Sequence, residues 1–448
     1  GSLDYEGNSS MGKNNRFGLF PALGFAWNLD QEHFLSDETR QWLTGAKFRV
    51  GLGKSGNAPD GSTYYLGAYQ SLGTYMSMSA IYPVRMQLDK LKWESTREYD
   101  FGMDLEFWNK LKLTFDYYDK KTSDLLLTST SVPSTTGYAE IKYLNSGELS
   151  NKGFEFRVDY NILQNKDWTI SVNANISRNI NKILSLPSTW RYDNYTFGNG
   201  NYATKVVEGQ PIGSFYGYKY KGVYQNTSDT YAKDASGNVM YDYKGNVITM
   251  KNGSTQVYSG DAKYEDINHD GVINENDIVY IGNSNPKLIG GGGFSIRYHQ
   301  LSLTAFFYGR YGQKVINGAR MSLESMYGVG NQSTAVLHRW RTEGDVTDIP
   351  RALYGMGYNY LGSDRFVEDA SYLRLKTLSL SYNVPSKFLK GWGISSLKAF
   401  ITGYDLITWS SYSGQDPEVA LPSALKLVQD NSTTPVTKRF SFGINLNF

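Results

Sequence analysis

The chain has 448 residues, 15% of them aromatic, with 36 tyrosines, 46 glycines, only 12 prolines and no cysteine. Aromatic residues and glycines favour strands and turns, and the absence of cysteine excludes disulfide scaffolds, thiolate metal sites and cysteine nucleophiles. A net charge of +2 gives no indication of a nucleic-acid partner, and a helical membrane protein is excluded because no apolar run approaches the ~20 residues of a membrane helix.

Segments of alternating polarity predict strands along much of the chain. In the first of them, every second residue from Phe101 to Phe107 is apolar, and the residues between are small or acidic. The same period of two recurs over residues 111–117, 154–162, 172–177, 294–298 and 440–448. This period is typical of strands with one apolar face, and many of the predicted strands reach ten or more residues, against ~5–6 in soluble sheets.

One predicted strand changes phase along its length. The apolar residues up to Leu375 and those from Leu378 onward fall on opposite faces of a regular strand. One extra residue would bring both groups to the same face, so we predict a β-bulge near Lys376 or Thr377.

The links between the predicted strands alternate in length. Short links lie at about 30–45, 107–110, 162–167, 299–300 and 384–396, and long links at about 54–95, 122–144, 187–287, 312–365 and 409–436. Bacterial outer-membrane barrels alternate in this way, with short periplasmic turns and long extracellular loops. We therefore predict an all-β, antiparallel transmembrane barrel with about 12–14 strands in this chain. The 187–287 link is long enough to contain an extra hairpin.

One long link contains a calcium-type motif. Residues 266–277 read DINHDGVINEND, with oxygen-bearing side chains at the first, third, fifth and twelfth places and glycine at the sixth. The predicted ligands are the side chains of Asp266, Asn268, Asp270 and Asp277 and the carbonyl of Val272. The flanking residues cannot form much helix, so the predicted role is to staple an extracellular loop. The alternative is a turn held only by its own side-chain hydrogen bonds.

Aromatic and charged residues supply further candidates. Rings in the long links can stack on sugars or grip a peptide, or simply pack the loops; the substrate-binding candidates are Trp190, Tyr192, Tyr195, Tyr358 and Tyr360. Charges expected on the lumen face are Asp104, Glu106, Glu155, Arg157, Arg178, Arg297 and Arg310. An enzyme is not predicted, because the four histidines form no HExxH motif and the GKSG at residues 53–56 lacks the first glycine of a phosphate loop.

The whole chain resembles the C-terminal part of SusC/RagA-type TonB-dependent transporters of Bacteroidetes. The matching stretches occur in family order; they include residues 6–34, 46–57, 91–127, 136–156, 209–225, 260–298, 366–385, 404–419 and 439–448. Among them are GDAKYEDINHDGVINENDIVYIGNSNPKLIGGGGFSIRY at 260–298 and RFSFGINLNF at the end of the chain.

The resemblance implies a 22-strand barrel with an internal plug, located in the cell outer membrane. It further implies import of oligosaccharides or oligopeptides, a SusD-like lipoprotein as an extracellular lid, and energy supplied by the TonB complex. The signal peptide, TonB box, plug and first barrel strands have no counterpart here, so we expect residues 1–448 to be the C-terminal part of a longer transporter.

Two other classes of function are compatible with part of the pattern. A passive porin-like or adhesive barrel would show the same strand alternation and loop lengths, but would not account for the family stretches. A soluble all-β carbohydrate-binding protein is disfavoured by the strand length and by the aromatic residue at Phe448, which resembles the C-terminal signal for outer-membrane assembly.

Overall fold

The computed structural model describes residues 1–61, 64–131, 134–138, 140–187, 193–419 and 427–448. Twelve long strands form one antiparallel sheet in which each strand pairs with the next along the chain. They are β1 (Ser2–Gly7), β2 (Phe17–Asn28), β3 (Leu43–Asn57), β4 (Glu94–Phe107), β5 (Leu111–Ser123), β6 (Glu148–Gln164), β7 (Trp168–Ser185), β8 (Leu288–Tyr298), β9 (Leu301–Tyr311), β10 (Tyr372–Val384), β11 (Ser396–Ser410) and β12 (Arg439–Asn447). The predicted antiparallel β architecture and its strand count are confirmed.

The pairing register brings the apolar positions of neighbouring strands onto one face. Residues directly opposite each other in an antiparallel pair point to the same side of the sheet. One such row crosses seven strands and contains Phe48, Met103, Phe115, Phe156, Ile176, Gly290 and Gly309. Many side chains on this face are exposed, among them Phe25, Phe440 and Phe442. An exposed apolar face over twelve strands is the membrane-facing surface of a barrel, and we call it the outer face.

The opposite, inner face carries most of the charges predicted to face the lumen. Asp104 and Glu155, for example, alternate with outer-face residues and lie in ion pairs or polar rows. Arg178 is the exception, and its prediction is wrong. It pairs in register with Phe154, in the same phase as Ile176, and therefore lies on the outer face.

The predicted bulge is present in β10. Leu375 is opposite Phe307 of β9, whereas Thr377 is opposite Phe306, so Lys376 is the extra residue. The pairing with β11 is also irregular between Leu375 and Thr377. The bulge keeps the leucines on both sides of it on the outer face.

Ten of the eleven links fall on two sides of the sheet as their lengths predict; the exception is the link 8–16, which has only nine residues but lies with the long links, where Gly12 donates to the carbonyl of Leu91. The short ones are 29–42, 108–110, 165–167, 299–300 and 385–395, and the long ones are 58–93, 124–147, 186–287, 312–371 and 411–438. Aromatic rings gather on the outer face next to the short links, where Trp42 stacks on Phe107 at 6.0 Å and Trp168 lies 4.4 Å from Tyr298. Such a girdle is typical of a membrane interface.

The long links contain only short elements. Their small sheets pair Ala68–Tyr75 with Met78–Arg85, Leu126–Ser131 with Glu140–Asn145, Asp193–Asn194 with Thr204–Lys205, Ser214–Gly217 with Val279–Asn283, Tyr220–Val223 with Ala262–Tyr264, Lys251–Asn252 with Thr255–Gln256 and Val272–Ile273, and Lys314–Asn317 with Val367–Asp369 and Gln429–Asp430. The helices are α1 (Asp37–Trp42), in a short link, and α2 (Gly318–Leu323). No helix in the described residues is long and apolar enough to cross a membrane.

Short 3-10 turns complete the secondary structure. They are Leu29–Gln31, Ser134–Thr136, Thr227–Thr230, Glu275–Asp277, Thr334–His338, Asp364–Phe366 and Ser386–Phe388. The 186–287 link thus holds several small strand pairs, none of which joins the twelve-stranded sheet.

The two sides of the sheet predict opposite accessibility in intact cells. Because this chain has no cysteine, single cysteines can be placed at Asn331, in the long link 312–371, and at Lys166, in the link 165–167. We expect a membrane-impermeant maleimide to label the full-length protein at position 331 and not at 166. Permeabilised cells, in which both should react, are the control. Labelling at 166 alone would reverse the topology.

Candidate functional site

Two apolar cores hold the long links together. The first packs Phe215, Ile281, Ile316 and Phe366 with six further buried residues, and the second packs Tyr218, Tyr224, Tyr264 and Ile273 with five more. The second core brings the link 186–287 against the segment around Leu361. The calcium-type motif and three of the aromatic candidates lie in or beside these cores.

The first and last acidic residues of the 266–277 motif anchor its ends. Asp266 accepts hydrogen bonds from the backbone amide of Gly271 at 2.8 Å and from that of Asp270 at 3.3 Å. Asp277 is 0% exposed and accepts one from Ile267 and one from Asn274, each at 2.8 Å. These contacts close the motif into a compact loop.

The middle of the loop is also held by side chains. Asp270 accepts from the Val272 amide and from the Asn268 side chain, both at 2.8 Å, and the Val272 carbonyl accepts from Asn274 Nδ2 at 3.3 Å. These hydrogen bonds hold the middle of the motif within the same compact loop.

Backbone geometry explains the glycine in this motif. His269 and Gly271 have φ angles of 58° and 81°. Both lie in the left-handed region, which favours glycine because it has no Cβ atom. A side chain at Gly271 would also start 3.0 Å from the Cβ of Ala232. Val272–Ile273 then pairs in parallel with Lys251–Asn252, so the loop is fixed to the rest of the link.

The electrostatics of the loop are those of an uncompensated acidic cluster. Burial raises the pKa of Asp277, and the neighbouring charges of Asp266 and Asp270 raise it further. None of these three carboxylates forms an ion pair with a described Lys or Arg. Within the described residues, no three His, Asp or Glu side chains form a group placed to hold a metal ion. The calcium site stays a prediction that rests on the oxygen pattern.

The aromatic candidates divide into two groups. Trp190 and Tyr192 lie outside the described residues. The Tyr195 hydroxyl forms a short hydrogen bond with that of Tyr218, and Tyr358 packs edge-on against Phe197 at 4.9 Å. Tyr360 lies 5.7 Å from Tyr327. The described candidate rings are half-buried and help to pack the loops, so each has only part of its surface available to a ligand.

A polar cavity of about 540 Å³, which the sequence did not indicate, lies between the links 312–371 and 411–438. Its wall includes Asn317, Arg320, Glu324, Glu368, Ser413 and Asp430, and none of the lining residues that the structure describes is aromatic. Arg320 donates to Glu324 at 2.8 Å and to Glu368 at 3.0 Å. Burial acts to raise the pKa of Glu368, but hydrogen bonds from Ser413 and Arg320 outweigh it and lower the pKa. Arg320, Glu324 and Glu368 are ion-paired. Asp430 accepts hydrogen bonds from the Tyr412 hydroxyl and the Thr433 amide, so the wall suits a hydrogen-bonding ligand.

The only signal for this cavity in the sequence is the Arg320–Glu324 spacing of four residues, which brings two side chains together on a helix. The other ion pairs here join residues more than forty positions apart, Arg320 to Glu368 at 3.0 Å and Arg365 to Glu324 at 2.7 Å. No local pattern predicts such pairs.

A second charged network fixes the link 411–438 to the inner face. Arg374 of β10 is 2% exposed and donates to Asp416 at 2.5 Å, to Glu418 at 2.8 Å and to Thr408 at 2.8 Å. Lys376, the bulge residue, lies 3.4 Å from Glu418. We call residues 416–418 the strap, because they hold a long link against the wall of the sheet.

The long antiparallel strands, their apolar outer face and the two-sided loops define a transmembrane β-barrel protein of the outer membrane. The chain belongs to the TonB dependent receptor-like β-barrel family, whose model matches residues 1–410. The resemblance found in the sequence is thereby confirmed.

Curated relatives and solved structures agree with this family. The chain is 32% identical to TonB-dependent receptor P3 of Formosa agariphila over 99% of its own length and 43% of the relative's. It is 27% identical to TonB-dependent receptor SusC of Bacteroides thetaiotaomicron over 100% of the chain and 42% of SusC. The solved RagAB peptide transporter has a similar fold, with a TM-score of 0.73 at 23% identity, over 98% of this chain and 44% of that one. The chain thus spans less than half the length of these proteins.

Proposed function

We propose that the chain forms the C-terminal part of the barrel of an active outer-membrane importer. In this proposal a longer protein supplies the plug, the TonB box and the first strands, and closes the sheet between β1 and β12. The cargo is an oligosaccharide or an oligopeptide, a SusD-like lipoprotein covers the extracellular side, and the TonB complex supplies energy. Outer-membrane lipid surrounds the barrel, and no nucleic acid takes part.

The observation that carries this proposal is the family match over residues 1–410 on a sheet with an apolar outer face. The sheet is also open: in the described residues, β1 and β12 each pair with one strand only and not with each other. Unpaired strand edges are unfavourable in lipid, so partner strands are needed. SusC is named a TonB-dependent receptor, and the RagAB structure is titled a peptide transporter, which supports import of nutrient oligomers.

The polar cavity and the aromatic candidates are the proposed contacts for cargo. Tyr195, Tyr358 and Tyr360 expose part of each ring, and Trp190 and Tyr192 belong to the same proposed set. The cavity supplies hydrogen-bonding groups. Together they provide stacking surface and polar contacts of the kind that both sugars and peptides use.

Growth of the native host on single oligomers tests the import function. Deleting the full-length gene should abolish growth on one glycan or peptide oligomer while growth on its monomer is unchanged, and removing TonB should have the same effect. Affinity purification of the full-length protein should recover a lipoprotein. Uptake that continues without TonB would instead identify a passive barrel.

We also propose that residues 266–277 bind calcium in this importer. The support is the near-complete set of oxygen ligands, the left-handed Gly271 and the three carboxylates without basic partners. Calcium prefers six to eight oxygen ligands, and its charge would offset the burial and the carboxylate repulsion that raise the pKa of Asp277. Ligands must be deprotonated to bind a metal, so we expect the affinity to fall as the pH falls.

Removing one ligand tests the calcium site. Because changing residues that only support a ligand weakens metal binding about 10–100-fold, Asp270→Ala should weaken calcium binding at least about tenfold. Calorimetry of the full-length protein measures the affinity, and proteolysis of the 186–287 link, which chelator should accelerate in the unchanged protein, reports loop order. Glu275→Ala, in the same loop but outside the ligand set, is the matched control. If calcium and chelator leave proteolysis unchanged, the motif is only a hydrogen-bonded turn.

A further inference from the structure

The outer face has a notch at the level of three glycines. Gly290 and Gly309 are opposite each other in β8 and β9, and Gly292 lies on the same face two residues along β8. Without side chains at these positions, a groove of about 500 Å³ opens in the sheet surface. Its walls are apolar and include Ile176, Leu288, Phe307, Tyr311, Leu373 and Trp409. We call this groove the glycine notch.

The backbone around the notch keeps it from being filled locally. A Cβ atom at Gly290 would lie 2.7 Å from the Asn175 carbonyl oxygen, and one at Gly309 would lie 2.6 Å from that of Tyr372. Such contacts are with backbone, which cannot move aside as a flexible side chain can. The glycines therefore maintain a concave apolar surface in the part of the molecule that faces lipid.

Charged residues begin directly beyond the notch, on the side of the long links. Arg178 is two residues from Ile176 on the same face of β7, which is ~7 Å along the strand. Further along this face, Lys152 pairs with Asp119 at 2.7 Å and Lys121 pairs with Glu148 at 2.9 Å. This is where the apolar surface gives way to the headgroup level of the outer leaflet.

On β7, two basic side chains at this level have no acidic partner. Arg178 and Lys182 are exposed on the outer face of β7, and neither forms an ion pair with any described residue. Lys182 is opposite Ser150, so no carboxylate faces it from β6. An unpaired arginine at the rim of an apolar groove is complementary to an anionic group that is attached to a hydrocarbon chain.

From this arrangement we propose that the outer wall binds one phosphate-bearing lipid of the outer leaflet. Its phosphate contacts Arg178, with Lys182 nearby, and one acyl chain lies in the glycine notch between Ile176 and Leu373. Arginine recognises phosphate through paired hydrogen bonds, and the concave notch offers an acyl chain more contact than a flat barrel wall would. β7 leads directly into the long link 186–287. The bound lipid would therefore stabilise the wall at the point where this link begins.

Native mass spectrometry of the full-length protein in nonionic detergent tests the site. The probe is dipalmitoyl phosphatidic acid, and dipalmitoyl glycerol, which has the same chains without the phosphate, is the comparison. We expect one phosphatidic acid to be retained at saturation. Arg178→Gln should weaken its binding about fivefold, the effect of one basic contact with an anionic lipid, and should leave diacylglycerol binding unchanged. Arg178→Lys should restore most of the loss.

A second variant tests the notch separately from the charge. Ile176→Trp narrows the groove with a side chain that lipid tolerates, and it should weaken the binding of both lipids. Arg97→Gln is the matched control, because Arg97 is an exposed arginine in outer-face phase on β4, beside Lys121. Folding of each variant is checked by heat-modifiable migration on gels. The proposal is overturned if Arg178→Gln binds like Arg97→Gln, if lipids bind without saturation, or if Ile176→Trp changes only self-association of the protein.

Discussion

Replacing Arg374 by alanine should release the strap from the inner face. Arg374 is almost fully buried and satisfies Asp416, Glu418 and Thr408 at once. Removing one partner of a buried ion pair is destabilising by about 3–5 kcal/mol, because the remaining charges are left without compensation. Lys376 stays near Glu418 but does not reach Asp416. We therefore expect the link 411–438 to loosen while the strands stay assembled.

Limited proteolysis of the full-length protein measures this release. Cleavage within 411–438 should rise strongly in Arg374→Ala and less in Arg374→Lys, which keeps the charge but loses the planar fork. Arg310→Ala is a matched control. Arg310 lies on the same face, but its contact with Glu418 is long, at 3.8 Å, and its side chain is more exposed than that of Arg374. Equal cleavage in all three variants would show that the strap is held by other contacts.

The same network predicts a dependence on pH. Burial acts to raise the pKa of Asp416, but hydrogen bonds from the Val436 and Glu418 amides and from Arg374 outweigh it and lower the pKa. A carboxyl group whose pKa is lowered by folding stabilises the folded state at pH values above its ordinary pKa. That contribution is lost as the pH falls through the pKa of the folded state. The strap should thus be released by acid and unaffected between neutral and mildly alkaline pH.

The barrel could be predicted from the sequence because the patterns that specify its strands involve only residues close together in the chain. A period of two needs only neighbouring residues, and the phase change between Leu375 and Leu378 was enough to locate the bulge at Lys376. The loop lengths gave the two sides of the sheet. Each of these signals is a property of a single strand or link, independent of what the rest of the chain does.

The position of Arg178 could also have been read from the same rule. Val172, Ala174 and Ile176 define the outer phase of β7, and Arg178 continues it. Its charge suggests the lumen, whereas its position in the alternation predicts the outer face. On a barrel wall near the headgroups a charge is compatible with the outer face, so near the end of a strand the phase is the stronger guide.

The loop layer could not be predicted, since its contacts join distant residues. Asp261, for instance, accepts from Arg351 at 2.7 Å across 90 positions of the chain. Tyr195 and Tyr358 offered the right chemistry for a ligand, but whether a ring packs or protrudes depends on which links meet. The packing of the two loop cores decides this, and it follows no sequence period.

Replacing Val158 by arginine should impair the barrel itself. Val158 lies in β6 on the outer face, in the row of Leu105, Leu113 and Ala174. This row lies between the aromatic girdle at the short links and the charged rows beyond Arg178, so the side chain meets the hydrocarbon region. Arginine near the bilayer midplane costs about 2–4 kcal/mol in a barrel. We expect a lower yield of folded full-length protein and a lower urea midpoint in liposomes.

Arg157, the residue before Val158, supplies the control, because it lies at nearly the same depth but on the inner face of the sheet. Arg157 points inward and pairs with Asp159 at 2.6 Å, with 62% of its side chain exposed. An exposed pair of this kind contributes about 0–1 kcal/mol, so Arg157→Ala should fold almost as the unchanged protein does. Val158→Leu, which keeps an apolar side chain on the lipid side, should do the same. Similar losses for Val158→Arg and Arg157→Ala would mean that the two faces of the sheet are assigned the wrong way round.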